Sequence, residues 1–272
     1  MPEPTPGEAS PLLSAIVIAQ DEAHRIERCL HSLVFCDEIV VLDGGSRDDT
    51  AERASALGAR VERHPYDGMN SQKDRARKLS RGEWVLNVDA DEEVPPALAG
   101  EVRQSIEAAP ESMAGFQIPR RTFLGDGRWL SRGGYYPDRQ LRLVRRERAC
   151  WDAAYDPHDR VVVDGEVGRL QNDLWHHGVP DLEHLWTRAD RYAEAAARAM
   201  LRRGERPGPA APLVHGAARF VKSYLLKGGF LLGGLGLTLA RSQAYEVREK
   251  YARLARLRRA EREQDPGGTR GD

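Results

Sequence analysis

Glu83-Trp-Val-Leu-Asn-Val-Asp-Ala-Asp-Glu92 sets two carboxylates, Asp89 and Asp91, directly after a run of mostly apolar residues. The run over 83–88 is short and nearly continuous, the pattern of a strand buried on both faces. Along an extended chain residues i and i+2 share a face, so both carboxylates are able to reach one site. A hard divalent cation such as Mg²⁺ or Mn²⁺ would be bound there by oxygen ligands and would hold a diphosphate. Asp-x-Asp alone also suits a solvated turn or a helix cap, so the neighbouring segments decide its meaning.

Toward the N-terminus, strand and helix patterns alternate. Residues 13–19 read as an apolar strand, and 22–35 carry helical spacing through Ile26, Leu30, Leu33 and Val34. A buried strand over 38–42 ends in Asp43-Gly-Gly-Ser-Arg-Asp-Asp-Thr50, where Asp48 or Asp49 caps a helix over 51–57 that stops at Gly58. A strand over 60–63 and a helix over 71–79, stopped by Gly82, lead into the opening segment. Pro95-Pro96 then starts a helix through 108. This alternation predicts an α/β fold, a mostly parallel sheet flanked by helices. Such sheets bind ligands beyond the carboxyl ends of their strands. Asp21 and Glu22, Asp43, and Asp89 with Asp91 end three different strands, and the fold gathers them along one edge.

Toward the C-terminus the character changes. Short strands over 116–119, 140–144 and 160–163 surround a Gly- and aromatic-rich loop over 125–137, the acceptor-facing half of the same domain. Its Trp129, Tyr135 and Tyr136 suit stacking on a sugar or a clamp for the fold. Arg139 and Arg142 alternate with Leu141 and Leu143, which fits phosphate neutralisation and a half-exposed strand equally well. From 181 onward, Leu182, Leu185, Trp186, Ala189, Tyr192, Ala193, Ala196 and Met200 form one helical stripe. Pro207, Pro209 and Pro212 precede a second helix. Thirteen uncharged residues follow over 228–240, fewer than the roughly 20 that a spanning helix needs. With Arg219, Lys222, Lys227 and Arg241 around them they read as an interfacial or re-entrant membrane element, against the competing reading of a packed helical hairpin. The expected organisation is a disordered leader over 1–12, a nucleotide-binding and catalytic domain over 13–180, a helical membrane-associating region over 181–263 and a loose tail over 264–272.

The 272 residues are 40% hydrophobic and 31% charged, ordinary for a soluble globular protein, and the net charge of -1 argues against a nucleic-acid binder. The leader has no basic and apolar regions of a signal peptide. The three cysteines lack Cys-x-x-Cys spacing, and Cys29 falls on an apolar helix face as a reduced core thiol.

Ser14-Ala-Ile-Val-Ile18, Asp21-Glu22, Ile26-Glu-Arg-Cys-Leu30, Asp37-Glu-Ile-Val-Val-Leu-Asp-Gly-Gly-Ser46, Gln72-Lys73 and Gly82–Glu92 together resemble glycosyltransferase family 2. The likeness continues through Ile118-Pro-Arg-Arg121, Gly133–Leu143, His158–Gly165 and Lys227-Gly-Gly-Phe230, and points to the branch of lipopolysaccharide-core β-glucosyltransferase-like enzymes. The resemblance implies a GT-A (Rossmann-like) fold and metal-dependent, inverting transfer from a nucleotide sugar, a UDP-hexose being favoured. The implied acceptor is a glycolipid or lipid-linked saccharide, met at the cytoplasmic face of a bacterial cell membrane. By the same resemblance Glu22 and Asp43 contact the base or ribose, and Asp89 helps hold ribose and metal. Asp91 and His176 are metal ligands, and Gln72 and Lys73 lie near the donor. Asp159 is the general base, with Asp138 in reserve.

Two positions depart from the family pattern: Asp21-Glu22 stands where Asn-Glu is usual, and His158-Asp159 where His-Glu is usual. Two other functions compete. A sugar nucleotidyltransferase would want a Gly-rich, basic phosphate loop after the first strand, where this chain has acidic Ala19-Gln-Asp-Glu22. A non-catalytic membrane-docking protein retaining the fold would have no need of the intact carboxylate set.

Overall fold

The structure is a computed structural model that describes residues 11–155 and 159–264. Contacts divide the chain into two compact units, 1–121 with 137–178, and 122–136 with 179–272.

The first unit is built on β1 (Leu13–Ala19), α1 (Ile26–His31), β2 (Glu38–Asp43), α2 (Thr50–Ala56), β3 (Arg60–Arg63), α3 (Met69–Leu79), β4 (Trp84–Asn87), the two-residue β5 (Glu92–Glu93) and α4 (Pro96–Glu107). After these come β6 (Met113–Leu124), β7 (Asp138–Arg145), β8 (Ala149–Trp151), β9 (Val161–Val163), β10 (Glu166–Arg169) and β11 (Leu174–Val179). The main sheet runs β3-β2-β1-β4-β7-β6-β11-β5, with β10 added to β6. Strands β3, β2, β1 and β4 are parallel, as the alternating pattern predicts. Beyond β4 the pairing turns antiparallel through β7 and β6, and β11 meets β5 antiparallel. The sheet is therefore mixed.

Helices cover both faces. Ala15, Val17, Trp84 and Leu86 pack with Ile26, Leu30, Leu98 and Val102 on one side, while Ile16, Val40, Leu42 and Val85 pack with Ala76 on the other. Fully covered strands read as unbroken apolar runs because neither face needs polar side chains. The helix expected over 22–35 is shorter. The Ser32 hydroxyl donates to Cys29 O (2.6 Å) and accepts from Val94 N–H (3.0 Å), which ends the turn. Pro11 and Leu12, counted in the leader, continue the sheet: Leu12 N–H donates to Asp37, and Trp84 N–H to Leu12 O.

In the second unit α5 (Leu182–Arg202), α6 (Ala211–Val221) and α7 (Gly233–Gln264) form the helical part. The Asp181 carboxylate accepts from His184 N–H (2.7 Å) and caps α5. Leu124 and Leu130 are buried with Val179, Leu185 and Leu239, so 122–136 groups with the helices and not with the sheet. The Gly-rich run over 228–240 is a short 3₁₀ turn followed by the first turns of α7, which continues through Gln264 into the expected tail. Among the described residues no single helix is long and apolar enough to cross a membrane. Ala211–Leu226 and Gly229–Glu261 pass by length and composition only as a pair bent by 68°.

Gly82 admits the start of β4 against β1. Its N–H donates to Ser14 Oγ (2.8 Å), and a Cβ there would lie 2.6 Å from both Ser14 N and Ser14 Oγ. Gly82→Ala is expected to destabilise the protein by about 1–3 kcal/mol, as overpacking does. A urea-denaturation midpoint equal to that of the wild type would contradict this close approach.

Candidate active site

The loops beyond β1 and β2 are stitched together. Asp21 adopts φ 56°, a left-handed conformation that Asp and Asn tolerate better than other side chains. Its N–H donates to Ser46 Oγ (3.0 Å), and its carboxylate accepts from Arg47 N–H (2.8 Å). The extra negative charge beside Glu22 is thus taken up by a backbone amide. Glu22 N–H donates to Thr50 Oγ1 (2.9 Å). Asp43, fully buried at the end of β2, accepts from the amide and hydroxyl of Ser46, with its other oxygen 3.5 Å from Arg63 Nε. Asp48 accepts from Thr50 N–H at the start of α2, whereas Asp49 makes no capping bond.

Beyond β4 the turn closes on itself. Glu92 N–H donates to Asp89 O (2.8 Å), and Asp89 N–H donates to the Glu92 carboxylate (3.0 Å). Arg142, its side chain 2% exposed, donates to Asp89 (2.6 Å), Glu92 (2.8 Å) and Asp159 (3.1 Å). Lys73, 0% exposed, reaches Asp159 at 2.6 Å and the other oxygen of Asp89 at 2.9 Å. The Trp151 indole donates to Asp159 (3.0 Å), and Arg120 joins Glu92 to Asp138. Burial alone would push Asp89 and Asp159 upward; the charges of Arg142 and Lys73 outweigh it and hold both carboxyls below their usual range, Asp89 far below.

Asp91 belongs to a different cluster. Its Oδ2 lies 3.4 Å from His176 Nε2 and 3.9 Å from Arg25 Nη1. The pairing of β11 with β5 sets His176 opposite Glu92, and His177 N–H donates to Asp91 O (2.8 Å). A Cβ on Gly178 would sit 2.3 Å from His176 Nε2 and 2.5 Å from Asp91 Oδ2, so only glycine lets the backbone approach both groups this closely. Glu22 carries a buried oxygen with no hydrogen bond. Burial raises its pKa, Arg25 opposes this, and the Asp91 charge adds to the rise. A carboxylate and an imidazole 3.4 Å apart fit a divalent cation, and the mixed donor pair suits Mn²⁺ better than Mg²⁺, which prefers oxygen. Among the described residues no three His, Cys, Asp or Glu side chains converge as a complete metal site. Asp89, expected beside the metal, instead spends both oxygens on Lys73 and Arg142.

The remaining expected residues divide. Gln72 is buried and holds the loop before α3 by donating to His64 O and Pro65 O. Asp138 is paired with Arg120 and Gln140, and Arg139 donates to Leu170 O. His158 lies outside the described residues. Trp129 and Tyr136 meet edge to face in the second unit, 5.1 Å between centroids. Sequence reasoning missed Glu92, Arg25, Arg120, Trp151 and Gly178, and left Arg142 open between phosphate neutralisation and a half-exposed strand. The one signal for Arg142 was its flank of Leu143 and Val144, consecutive apolar residues that mark a strand covered on both faces.

The parallel half-sheet, the acidic loops at its carboxyl edge and the Asp-x-Asp turn are the arrangement of a GT-A type of fold. The chain belongs to glycosyl transferase family 2, whose model matches residues 14–157, and is a glycosyltransferase. It is similar to the lipopolysaccharide core biosynthesis glycosyltransferase LpsC of Rhizobium meliloti (strain 1021), at 28% identity over 90% of this chain and 94% of that protein. It is also 27% identical to an uncharacterized glycosyltransferase of Rickettsia bellii (strain RML369-C), over 90% of this chain and 86% of the relative. Among solved structures, glucosyl-3-phosphoglycerate synthase from Mycobacterium tuberculosis in complex with phosphoglyceric acid matches with a TM-score of 0.46 and 22% identity, covering 74% of this chain and 82% of that one.

Removing Arg142 would leave Glu92 and Asp89 buried without their main counter-charge. Arg142→Met is expected to cost about 3–5 kcal/mol, the usual penalty for breaking a buried ion pair on one side. Because Asp89 and Asp159 titrate lower folded than unfolded, they stabilise the wild type fully above about pH 4 and lose this as pH falls further. Denaturation at pH 7 and pH 3 checks both points: the variant's deficit should shrink at pH 3. An undiminished deficit would contradict the electrostatic account.

Proposed function

We propose that this glycosyltransferase moves a hexose from a nucleotide diphosphate sugar, with UDP favoured, onto a lipid-linked saccharide with inversion at the anomeric carbon. The observation that carries the reading is the pairing of Asp91 with His176, 3.4 Å apart against Gly178, on the same Asp-x-Asp turn as the buried Asp89–Arg142–Lys73 cluster. Asp91 and His176 would hold Mn²⁺ or Mg²⁺, and Glu22 and Asp43 would meet the base or ribose. When bound, the cation supplies Lewis-acid charge toward the diphosphate. Asp89 would serve the ribose side while orienting Lys73 and Arg142.

The acceptor oxygen attacks the anomeric carbon, and the bond to the diphosphate breaks with its electron pair leaving on the phosphate oxygen. Asp159 takes the acceptor proton. Its depressed pKa keeps it ionised at neutral pH, ready to accept, although two cations weaken it as a base. A diphosphate arriving at the edge competes for Lys73 and Arg142, which strengthens Asp159 as its partners turn to phosphate. The similarity to a lipopolysaccharide core enzyme supports an envelope saccharide as acceptor. The basic, apolar turn after α6 supports a peripheral position at the inner membrane face.

Asp159→Asn is expected to lower transfer roughly 10²–10⁴-fold with unchanged affinity for the donor; turnover near that of the wild type would remove Asp159 from the role. Gly178→Ala is expected to abolish Mn²⁺-stimulated UDP-hexose hydrolysis, because its methyl would push His176 and Asp91 aside. Retained metal stimulation in a folded Gly178→Ala protein would contradict the assignment of Asp91 and His176.

A further inference from the structure

The second unit contains a cavity of about 140 Å³ between α5, α6 and α7, lined by Tyr135, Leu185, Arg188, Arg219, Gln243 and Glu246 among others. Neither Arg188 nor Arg219 pairs with a carboxylate among the described residues, and Arg219 Nε is buried with no hydrogen bond. A buried guanidinium donor left unmet is costly, so Arg219 Nε is able to take a partner that enters the cavity from outside. Two guanidiniums against the single carboxylate of Glu246 leave the cavity positive. Burial pushes the Tyr135 phenol up, so it keeps its proton and adds a neutral donor. Fork-shaped donors beside a hydroxyl suit a phosphate. The volume is well below the roughly 300–1,000 Å³ of sites that take whole small molecules, so it suits a headgroup and not a nucleotide sugar.

The surroundings identify where that phosphate comes from. From Arg206 to Tyr245 the chain has five Lys and Arg residues and no acidic one. Arg219 lies on α6, and the same segment exposes Leu213, Val214, Val221, Leu225, Leu226, Phe230 and Leu231, with Leu226 77% exposed. An apolar surface this large and free of negative charge is complementary to an anionic bilayer. The arm before the bend, Ala211–Leu226, is too short to span, so it fits the interface plane.

We propose that Arg188, Arg219 and Tyr135 form a phosphate-headgroup site, through which the second unit grips an anionic lipid while the turn around Leu225, Leu226 and Leu231 enters the bilayer interface. The site rests on the peripheral membrane position proposed above and gives it a specific ligand. It lies outside the residues assigned to the donor.

Flotation of the full chain with phosphatidylcholine vesicles, with and without phosphatidic acid, tests this. Wild type should float with the phosphatidic acid vesicles and poorly with phosphatidylcholine alone. Arg188→Gln with Arg219→Gln should lose roughly tenfold in binding, the loss of two charge-assisted contacts, while UDP-hexose hydrolysis stays unchanged. Lys222→Gln with Arg241→Gln removes the same charge outside the cavity and should cost no more than about threefold. Equal losses in the two double variants would overturn the site and leave membrane docking intact. Wild type that fails to float would overturn both. Thermal stabilisation by inorganic phosphate without flotation would assign the cavity to a soluble anion and overturn the lipid. Self-association abolished by Leu225→Glu with Leu226→Glu, in place of flotation, would assign the surface to a second copy.

Discussion

The buried guanidinium of Arg142 is the constraint on which the site depends. It sits on β7, a strand covered on both faces between β4 and β6, and a charge there is stable only when surrounded by carboxylates. Asp89, Glu92 and Asp159 meet that demand from two separate stretches of chain, and Lys73 ties two of them together from α3. The turn after β4 and the segment before β9 are fixed by the same cation. A site assembled in this way is organised before substrate arrives, which is what charge stabilisation in a transfer reaction requires.

The two aspartates of the Asp-x-Asp turn have separate tasks in this arrangement. Asp89 looks inward to Lys73 and Arg142. Asp91 turns to His176 and Arg25, packed against Gly178. Strand alternation explains why both carboxylates reach the edge, but the turn closed by Glu92 sends them to different partners. Glu22, held near Asp91 by the loop after β1, adds a third acid whose pKa is raised mainly by burial, with the Asp91 charge adding to the rise.

Much of this was legible in the sequence. Short apolar runs separated by helical spacing gave away the parallel half-sheet, since buried strands and capped helices have local signatures. Asp43, Asp89 and Asp91 were found because each ends such a run. The antiparallel half was less legible: β5 has two residues and β10 four, and their pairing is set by distant partners. Glu92 looked like one more acid in an acidic turn, and its role is created by Arg142, fifty positions away. Gly178 carried no local sign, because its meaning lies in the two side chains that a methyl would strike. Glycine lowers helix propensity, yet packing against α5 and α6 carries α7 back through Gly233.

The central claim is that the carboxyl edge of the sheet holds a nucleoside diphosphate together with a divalent cation. Calorimetric titration of uridine diphosphate into the protein, with Mn²⁺ and with a chelator, measures this directly. Saturable binding that needs Mn²⁺ and disappears in His176→Ala is the predicted result. Binding of equal strength in chelator, or heat unchanged by His176→Ala, would contradict it.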